Sequence, residues 1–417
     1  MHRTFSSLAI RNYRLFFAGQ LVSVTGTWMQ SVAQMWLVLH LTGSGVALGI
    51  TAALQFTPVL LFGTVGGLVA DRVDKRALLV GTQTAAAVPA LILGAITLAG
   101  LAQLWIVYVM AFCIGLVNAI DNPTRQSFVS EMVGPGNVGN AVSLNSAVFT
   151  AARVVGPAVA GILISVVGTG WCFVANGVSY FPVVGALVLM RPDELVRGRP
   201  VGREPGQIKA GLRYAWSRWE LRLPLLLMLV IGTLAFNFSV LMPLMVRFAF
   251  HSGASTYGLL LSLMGIGSLA GALLVATRGS PSYRLVAGAA TAFGVLLLVA
   301  AAMPTLALEL IAVVPLGVAM VAFQATSNSL LQLNSSPNYR GRVMALYVMV
   351  FLGTTPIGAP VVGAVAQAFG PRAGLALGGA ATLVAGLVAL WGVARLSLVS
   401  KQAGEPPTDA PPDVEAA

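Results

Sequence analysis

Charged residues interrupt otherwise apolar stretches of this sequence at a few positions. Asp121 and Arg125 stand one helical turn apart, Arg153 lies near the middle of the next apolar stretch, and Glu309 lies near the start of a later one. A charge at the centre of a bilayer costs roughly 2.5–3.5 kcal/mol by insertion scales, so such residues are functional candidates. Either carboxylate could take up a proton and thereby bias a conformational equilibrium.

The same four residues also have structural interpretations. Asp121, placed at the end of its apolar stretch, could pair with Arg125 or Arg153 at the cytoplasmic edge. Glu309 could be an interfacial acid at the start of a helix, where a negative charge is favourable. Arg153 could have a structural role. The sequence leaves these alternatives open.

Uncharged polar residues form a second group of candidates. Thr27, Gln30 and Gln34 fall on one face of a helix, and a polar face in lipid must meet protein or a water-filled cavity. A few polar groups on an apolar wall suit a bulky amphipathic solute better than a sugar. Interhelical hydrogen bonding is the alternative for each. The candidate cavity residues are Thr27, Gln30, Gln34, Asn118, Phe236, Asn237, Met242, Gln324 and Asn328.

The elements that carry these residues are predicted to be membrane spans. Hydrophobic residues make up 57% of the 417-residue chain and charged residues 9%, which all but excludes a soluble globular protein. A span needs about 20 apolar residues. Twelve apolar segments satisfy this: 15–41, 46–70, 77–99, 103–121, 139–167, 171–190, 223–247, 255–277, 284–303, 306–330, 342–368 and 372–396. The predicted fold is therefore an all-α polytopic membrane protein.

Charge asymmetry predicts the orientation of these spans. Every Lys and Arg except Arg153, Arg247 and Arg372 falls in the tails or in connections on one side. Cytoplasmic loops collect basic residues, so we expect both termini in the cytoplasm and the chain in a bacterial-type inner (plasma) membrane. The same rule accounts for the net charge of +11, so that nucleic-acid binding is not needed to explain it. The sequence also contains no basic patch interleaved with aromatic residues, a pattern that is typical of nucleic-acid binding.

An internal repeat divides the spans six and six. Residues 139–168 align with 341–370 at a constant offset, and the identical pairs include Gly156 with Gly358 and Gly168 with Gly370. The predicted domains are bundles at 1–190 and 223–398, a cytoplasmic linker at 191–222 and a disordered acidic tail at 399–417. In the linker, Ile208, Leu212, Ala215 and Trp219 have helical spacing, which predicts an amphipathic helix on the inner membrane surface.

The stretch GGLVADRVDKRALL at 66–79 carries a family resemblance. It resembles the signature of the major facilitator superfamily between helices 2 and 3, through Gly67, Asp71, Arg72, Lys75 and Arg76, although Asp74 stands where many members have Gly. The resemblance implies twelve helices in two pseudo-symmetric bundles that rock about a midplane site. Asp71 could bind the N-terminus of a facing helix and close a cytoplasmic gate. A solvated charged loop is the alternative.

A second stretch, ARVVGPAVAG at 152–161, resembles the antiporter motif of the same superfamily, through Gly156, Pro157 and Gly161, with Ala160 in place of a Gly. Generic small-residue packing is the alternative. RNYRLFFAGQLVSVTGTWMQSVAQMWLVLHLTGS near the N-terminus and NAIDNPTRQSFVSEMV at 118–133 are similar to the drug-and-siderophore exporter branch, which includes enterobactin exporters and macrolide efflux proteins.

The resemblance implies a secondary transporter, and we expect proton-coupled export of a hydrophobic or amphipathic small molecule by a monomer. An importer or lysophospholipid flippase on the same fold is one alternative. A non-transporting receptor or a polytopic enzyme is another, but no catalytic cluster, metal-ligand spacing or phosphate-binding loop occurs in the sequence. We therefore expect no cofactor, no metal and no direct use of ATP.

Overall fold

The computed structural model describes residues 3–196, 207–278 and 280–402, and every regular element in these ranges is helical. The first six long helices are α1 (Arg11–Thr42), α2 (Gly45–Arg72), α3 (Lys75–Leu98), α4 (Leu104–Val133), α5 (Val138–Val167) and α6 (Thr169–Val188). At 1.5 Å per residue each is long enough to cross a bilayer. Their ends follow local chemistry: Ser44 and Asp74 accept hydrogen bonds from the first-turn N–H groups of α2 and α3.

The remaining helices are α7 (Gln207–Ser217), α8 (Trp219–Leu234), α9 (Phe238–Leu244), α10 (Ala254–Thr277), α11 (Tyr283–Ala302), α12 (Leu306–Asn334), α13 (Pro337–Gly353), α14 (Thr355–Phe369) and α15 (Pro371–Gln402). Two predicted spans are broken. The seventh consists of α8, α9 and a π-helical turn at Met245–Ala249, and the eleventh consists of α13 and α14.

Eleven segments of the described chain are long and apolar enough to cross a membrane. Helix α1 is not among them, because Gln20, Gln30 and Gln34 dilute its apolar character, but with 32 residues it makes the twelfth span. The predicted all-α polytopic fold is confirmed.

Three boundary predictions were wrong. Helix α4 does not end at Asp121 but continues to Val133, because buried partners satisfy the polar residues of its second half. Trp219 does not belong to the amphipathic helix, which ends at Ser217; it begins α8 instead. Helix α15 continues to Gln402, past the predicted start of the tail, and residues 403–417 lie outside the described ranges. Residues 197–206 of the predicted linker lie outside them too.

Contacts divide the chain into two compact units. The first comprises Met1–Gly202 and His251–Ser262, and the second comprises Arg203–Phe250 and Leu263–Ala417. The first unit therefore contains α1–α6 and the beginning of α10, where the Ser262 hydroxyl donates to the Val154 carbonyl of α5 over 2.7 Å.

The repeat predicted from the sequence has matching local structure in each unit. Gly168 connects α5 to α6 with a φ of 90°, and Gly370 connects α14 to α15 with a φ of 89°. This conformation favours glycine. At Gly156, α5 lies directly against Trp28 and Thr25 of α1. At Gly358, α14 lies directly against Thr233 of α8. In each unit, the repeated glycine thus allows the same close approach to the unit's first span.

Candidate functional site

The centre of the candidate site is the carboxylate of Asp121, in the middle of α4. Its exposed fraction is 2%. One oxygen accepts hydrogen bonds from Thr82 Oγ1 and Gln83 Nε2 of α3, each over 2.7 Å. The other oxygen lies 2.6 Å from Arg125 Nη2. Both oxygens are thus satisfied, which is the condition for holding a buried charge.

Arg125 extends this network to two further helices. Its Nη1 donates to Gln20 Oε1 of α1 over 3.1 Å, and its Nη2 donates to Asn122 Oδ1 over 3.0 Å. The guanidinium also lies 5.4 Å from the ring centre of Phe149 on α5. The network therefore ties α1, α3, α4 and α5 together inside the first unit.

Two polar atoms of this network have no hydrogen-bond partner among the described residues. Gln20 Nε2 and Gln83 Oε1 are both buried in this condition. A buried polar group without a partner is costly, so these atoms are positions where water or a solute would be favoured.

A second polar layer joins α1 to α6. Asn176 Nδ2 donates to Gln30 Oε1 over 2.6 Å and to the Tyr180 hydroxyl over 3.3 Å. Gln34 Nε2 is buried and has no hydrogen-bond partner among the described residues, and Thr27 donates to the Ser23 carbonyl of its own helix. The predicted polar face of α1 therefore meets protein at Gln30, whereas Thr27 is exposed. Asn118 of α4 is half-buried.

The structure brings one of the predicted ion pairs together. Asp121 contacts Arg125, whereas Arg153 lies 5.7 Å from the ring centre of Trp28 on α1. Sequence reasoning missed Thr82, Gln83, Asn176 and Tyr180. The available signal was their polarity within the apolar stretches of α3 and α6.

Glu309 has a different environment, in the first turn of α12 in the second unit. Its side chain is fully buried, and neither carboxylate oxygen has a hydrogen-bond partner among the described residues. The opposite charge acting on it is that of Arg372 in the first turn of α15, whose guanidinium lies 5.9 Å from the ring centre of Phe250.

Three of the predicted cavity residues of the second unit lie at or near the break between α8 and α9. Asn237 stands at this break with 2% exposure; its Nδ2 donates to the Thr233 carbonyl over 2.7 Å, and its Oδ1 has no partner in the part of the chain that the structure describes. The Phe236 ring packs against Phe293 and Phe351, with centres 5.6 and 5.9 Å apart. Met242 is buried in α9.

On α12, Gln324 and Asn328 are half-buried and hold local contacts. Asn328 accepts a hydrogen bond from Gln332, and the Gln324 carbonyl accepts one from the Tyr347 hydroxyl over 3.4 Å. Between them, the hydroxyls of Thr326 and Ser327 are fully buried and without partners among the described residues.

Two basic residues of the predicted gate motif, Lys75 and Arg76, make contacts within the first unit. Lys75 Nζ lies 2.6 Å from Glu131 Oε1. The Arg76 guanidinium donates to the carbonyls of Leu187 and Val188, which favours the end of α6. Asp74, noted above as a departure from the family pattern, caps α3.

The other residues of the gate motif hold fewer contacts. Gly67 is buried, Arg72 is exposed, and Asp71 is half-exposed without a hydrogen bond to any described residue. The gate function of Asp71 remains a prediction.

The exporter motif is a close packing surface of α5. A methyl group at Gly156 would lie 2.5 Å from Trp28 Cβ, and one at Gly161 would lie 3.1 Å from the Ala254 carbonyl oxygen. Conversely, a methyl group on Gly258 of α10 would collide with the Pro157 carbonyl. The small residues therefore let α5 approach α1 and the beginning of α10 within the first unit.

A sequence profile of the family described as transmembrane secretion effectors matches residues 2–414. The chain belongs to this family of the major facilitator superfamily. It is an integral membrane protein with the fold of secondary transporters, and the predicted membership is confirmed.

Named relatives cover most of the chain. The staphyloferrin A transporter of Staphylococcus aureus is 24% identical over 86% of this chain and 90% of its own. The multidrug efflux pump Tap of Mycolicibacterium fortuitum is 28% identical over 93% of this chain and 97% of its own. The resemblance to the drug-and-siderophore branch is confirmed.

Solved structures share the fold. A bacterial homologue of the human lysosomal transporter Spinster has a TM-score of 0.69 and 15% identity, covering 91% of this chain and 95% of that one. Likeness at this identity shows the fold alone.

Proposed function

We propose that this protein exports hydrophobic or amphipathic small molecules across the plasma membrane in exchange for protons, by alternating access. Its family consists of secretion effectors, and its relatives are named for a siderophore and for multiple drugs. The observation that carries the coupling proposal is the buried ion pair of Asp121 with Arg125, on which four helices of the first unit converge.

Protonation of Asp121 would change how those four helices are held. A neutral carboxyl no longer balances the buried guanidinium, and removing one partner of a buried ion pair costs about 3–5 kcal/mol. Since 1.4 kcal/mol corresponds to a factor of ten, such a change is large enough to reverse a conformational preference. The Arg125 guanidinium would then depend on its hydrogen bonds to Gln20 of α1 and Asn122 of α4. One proton on Asp121 would therefore change how α1 and α4 are held together.

Glu309 is the second coupling candidate, because it can accept a proton without losing any hydrogen bond within the described structure. Asp121 is favoured, since its protonation changes contacts between helices.

Transport in proteoliposomes tests the coupling residues. A panel of antibiotics, siderophores and lysophospholipids is first screened for the compound that most raises the Tm of the purified protein. Its efflux is then measured over a range of imposed pH gradients, with wild type, Asp121→Asn, Glu309→Gln and a surface control, Glu194→Gln.

We expect Asp121→Asn to abolish the dependence of efflux on the pH gradient, and Glu194→Gln to retain it. If both Asp121→Asn and Glu309→Gln keep the wild-type dependence, neither residue couples protons. Accumulation of the compound against the predicted direction would identify an importer. Absence of flux for every stabilising compound would favour a non-transporting receptor.

The substrate contacts are part of this proposal. We expect the wall around the α8–α9 break to bind the solute through Phe236 and Met242, with Asn237 Oδ1 accepting a hydrogen bond that no described residue supplies. Gln324 and Asn328 of α12, and Gln34, Thr27 and Asn118 in the first unit, are further contact candidates.

A further inference from the structure

The short helix α7 is attached to the second unit along one narrow face. Gly211 of α7 lies so close to α13 that a methyl group there would be 2.8 Å from Arg342 Cβ. Ala215, one turn later, is fully buried. Small residues at a spacing of four place the α7 backbone directly against the beginning of α13.

Two stacked tyrosines fix this attachment. The rings of Tyr214 on α7 and Tyr339 on α13 are 4.3 Å apart between centres and only 12° from parallel. The Tyr214 hydroxyl also accepts a hydrogen bond from the backbone N–H of Ser336, over 3.1 Å. One arginine lies over each ring: Arg218 at 5.2 Å from Tyr214, and Arg342 at 5.0 Å from Tyr339.

The remaining surface of α7 combines apolar and cationic groups. Leu212 and Trp216, one turn apart, are 49% and 53% exposed. Three arginines nearby in the chain are exposed as well: Arg213 on α7, Arg218 directly after its end and Arg222 in the first turn of α8. Arg340 adds a further exposed cation at the start of α13. Within 207–222 the only acidic residue is Glu220.

We propose that this surface, the α7 platform (Leu212, Arg213, Trp216, Arg218, Arg222 and Arg340), binds an anionic phospholipid of the membrane leaflet on its side. The arginines match a phosphate group in charge and in hydrogen-bonding geometry. Leu212 and Trp216 enter the interface beside the headgroup, where tryptophan is favoured. Cation clusters beside membrane spans are attracted by anionic lipid surfaces.

The occupant is a lipid rather than a soluble anion because the platform offers both kinds of contact. A free phosphate would use the arginines and leave Leu212 and Trp216 in water. A lipid covers both, since its headgroup and the boundary of its acyl chains lie at adjacent depths. The platform joins span seven to the start of span eleven, so the lipid would hold α7 against α13.

Lipid retention by the full-length protein tests this proposal. Wild type and an Arg213→Gln/Arg218→Gln/Arg222→Gln variant are purified in detergent, offered equal amounts of phosphatidylglycerol and phosphatidylcholine, and examined by native mass spectrometry. The control removes the same charge elsewhere, at exposed arginines of the first unit: Arg14→Gln/Arg72→Gln/Arg191→Gln. We expect the platform variant to lose phosphatidylglycerol retention by about fivefold relative to the control, with phosphatidylcholine unchanged.

A second variant tests the apolar contacts separately from the arginines. Leu212→Ser/Trp216→Ser keeps every arginine, and we expect it to lower phosphatidylglycerol retention by about threefold. Glycerol 3-phosphate at millimolar concentration should neither compete nor raise the Tm. Equal retention by the platform variant and the control would overturn the proposal, and so would competition by glycerol 3-phosphate, which would assign the arginines to a soluble phosphate.

Discussion

At the scale of single residues, two buried acids differ in how the protein accommodates them. Asp121 receives two neutral hydrogen bonds and one ion pair, whereas Glu309 receives none from the described residues. A charge with hydrogen bonds and an ion pair depends on those partners, whereas a buried carboxyl that receives no hydrogen bond has no such contacts to lose. Substitution should therefore affect the stability of the protein in opposite ways.

Asp121→Asn should lower the free energy of unfolding by about 3 kcal/mol, because Arg125 loses its counter-charge while Thr82 and Gln83 can still donate to the remaining oxygen. Arg125→Gln should cost a similar amount. The double variant should cost much less than both together, since the two substitutions remove one shared interaction. Thermal unfolding in detergent measures all three. Fully additive losses would contradict the pair as the main contact of either residue.

Glu309→Gln should leave the Tm unchanged or raise it. The substitution keeps the shape of the side chain and removes an ionisable group that accepts no hydrogen bond from the described residues. Thermal unfolding at neutral pH is the measurement, with Asp121→Asn as the contrasting variant. A large fall in Tm would show that the Glu309 carboxylate has a stabilising partner.

The sequence predicted Asp121 and Arg125 as a possible pair because they stand one helical turn apart. It did not predict Thr82, Gln83 or Gln20 as their partners. Those residues lie on other helices. The packing of the whole bundle decides which helix surfaces contact one another. For the same reason, Gln30 was predicted on a polar face, but its partner Asn176 was not.

At the scale of helices, the repeated glycines decide how closely spans pack. Gly156 and Gly358 stand at equivalent positions of the repeat, and each allows contact with the first span of its unit. Gly139 and Gly341 are equivalent as well, but a methyl group on either would meet no atom of another described helix within 4 Å.

This symmetry provides a matched set of variants. Gly156→Ala and Gly358→Ala should each lower the Tm, because the methyl group meets backbone atoms that cannot easily move. Gly139→Ala and Gly341→Ala should leave the Tm unchanged or raise it, since alanine favours a helix over glycine by about 1 kcal/mol. Thermal unfolding of the four purified variants tests the set. Equal effects at tight and open positions would contradict the close packing.

Hydropathy predicted the position of all twelve spans, because each must bury about 20 residues in lipid. It did not predict the break at Asn237, which lies between Phe236 and Phe238, or the break at Thr354, where Gly353 ends one helix and Pro356 lies in the first turn of the next. It also ended α4 too early at its polar residues. Burial against neighbouring helices, rather than against lipid, satisfies those groups.

At the scale of the molecule, the distribution of charge predicts the orientation in the membrane. Ser217, at the end of α7, should face the cytoplasm, and Gln103, at the start of α4, should face outward. Cysteines introduced at these positions, in a background lacking Cys113 and Cys172, report this with a membrane-impermeant maleimide. We expect labelling of Gln103→Cys in intact cells and of Ser217→Cys only after lysis. The reverse pattern would mean that the protein has the opposite orientation in the membrane, which would reverse the proposed direction of transport.

We propose that solute export is exchanged for protons through Asp121. The most direct test records the internal pH of proteoliposomes when a gradient of the stabilising compound is imposed without any pH gradient. Wild type should move protons opposite to the compound, and Asp121→Asn should move none while remaining folded by gel filtration. Movement of the compound by wild type without any change in internal pH would show that export is not exchanged for protons.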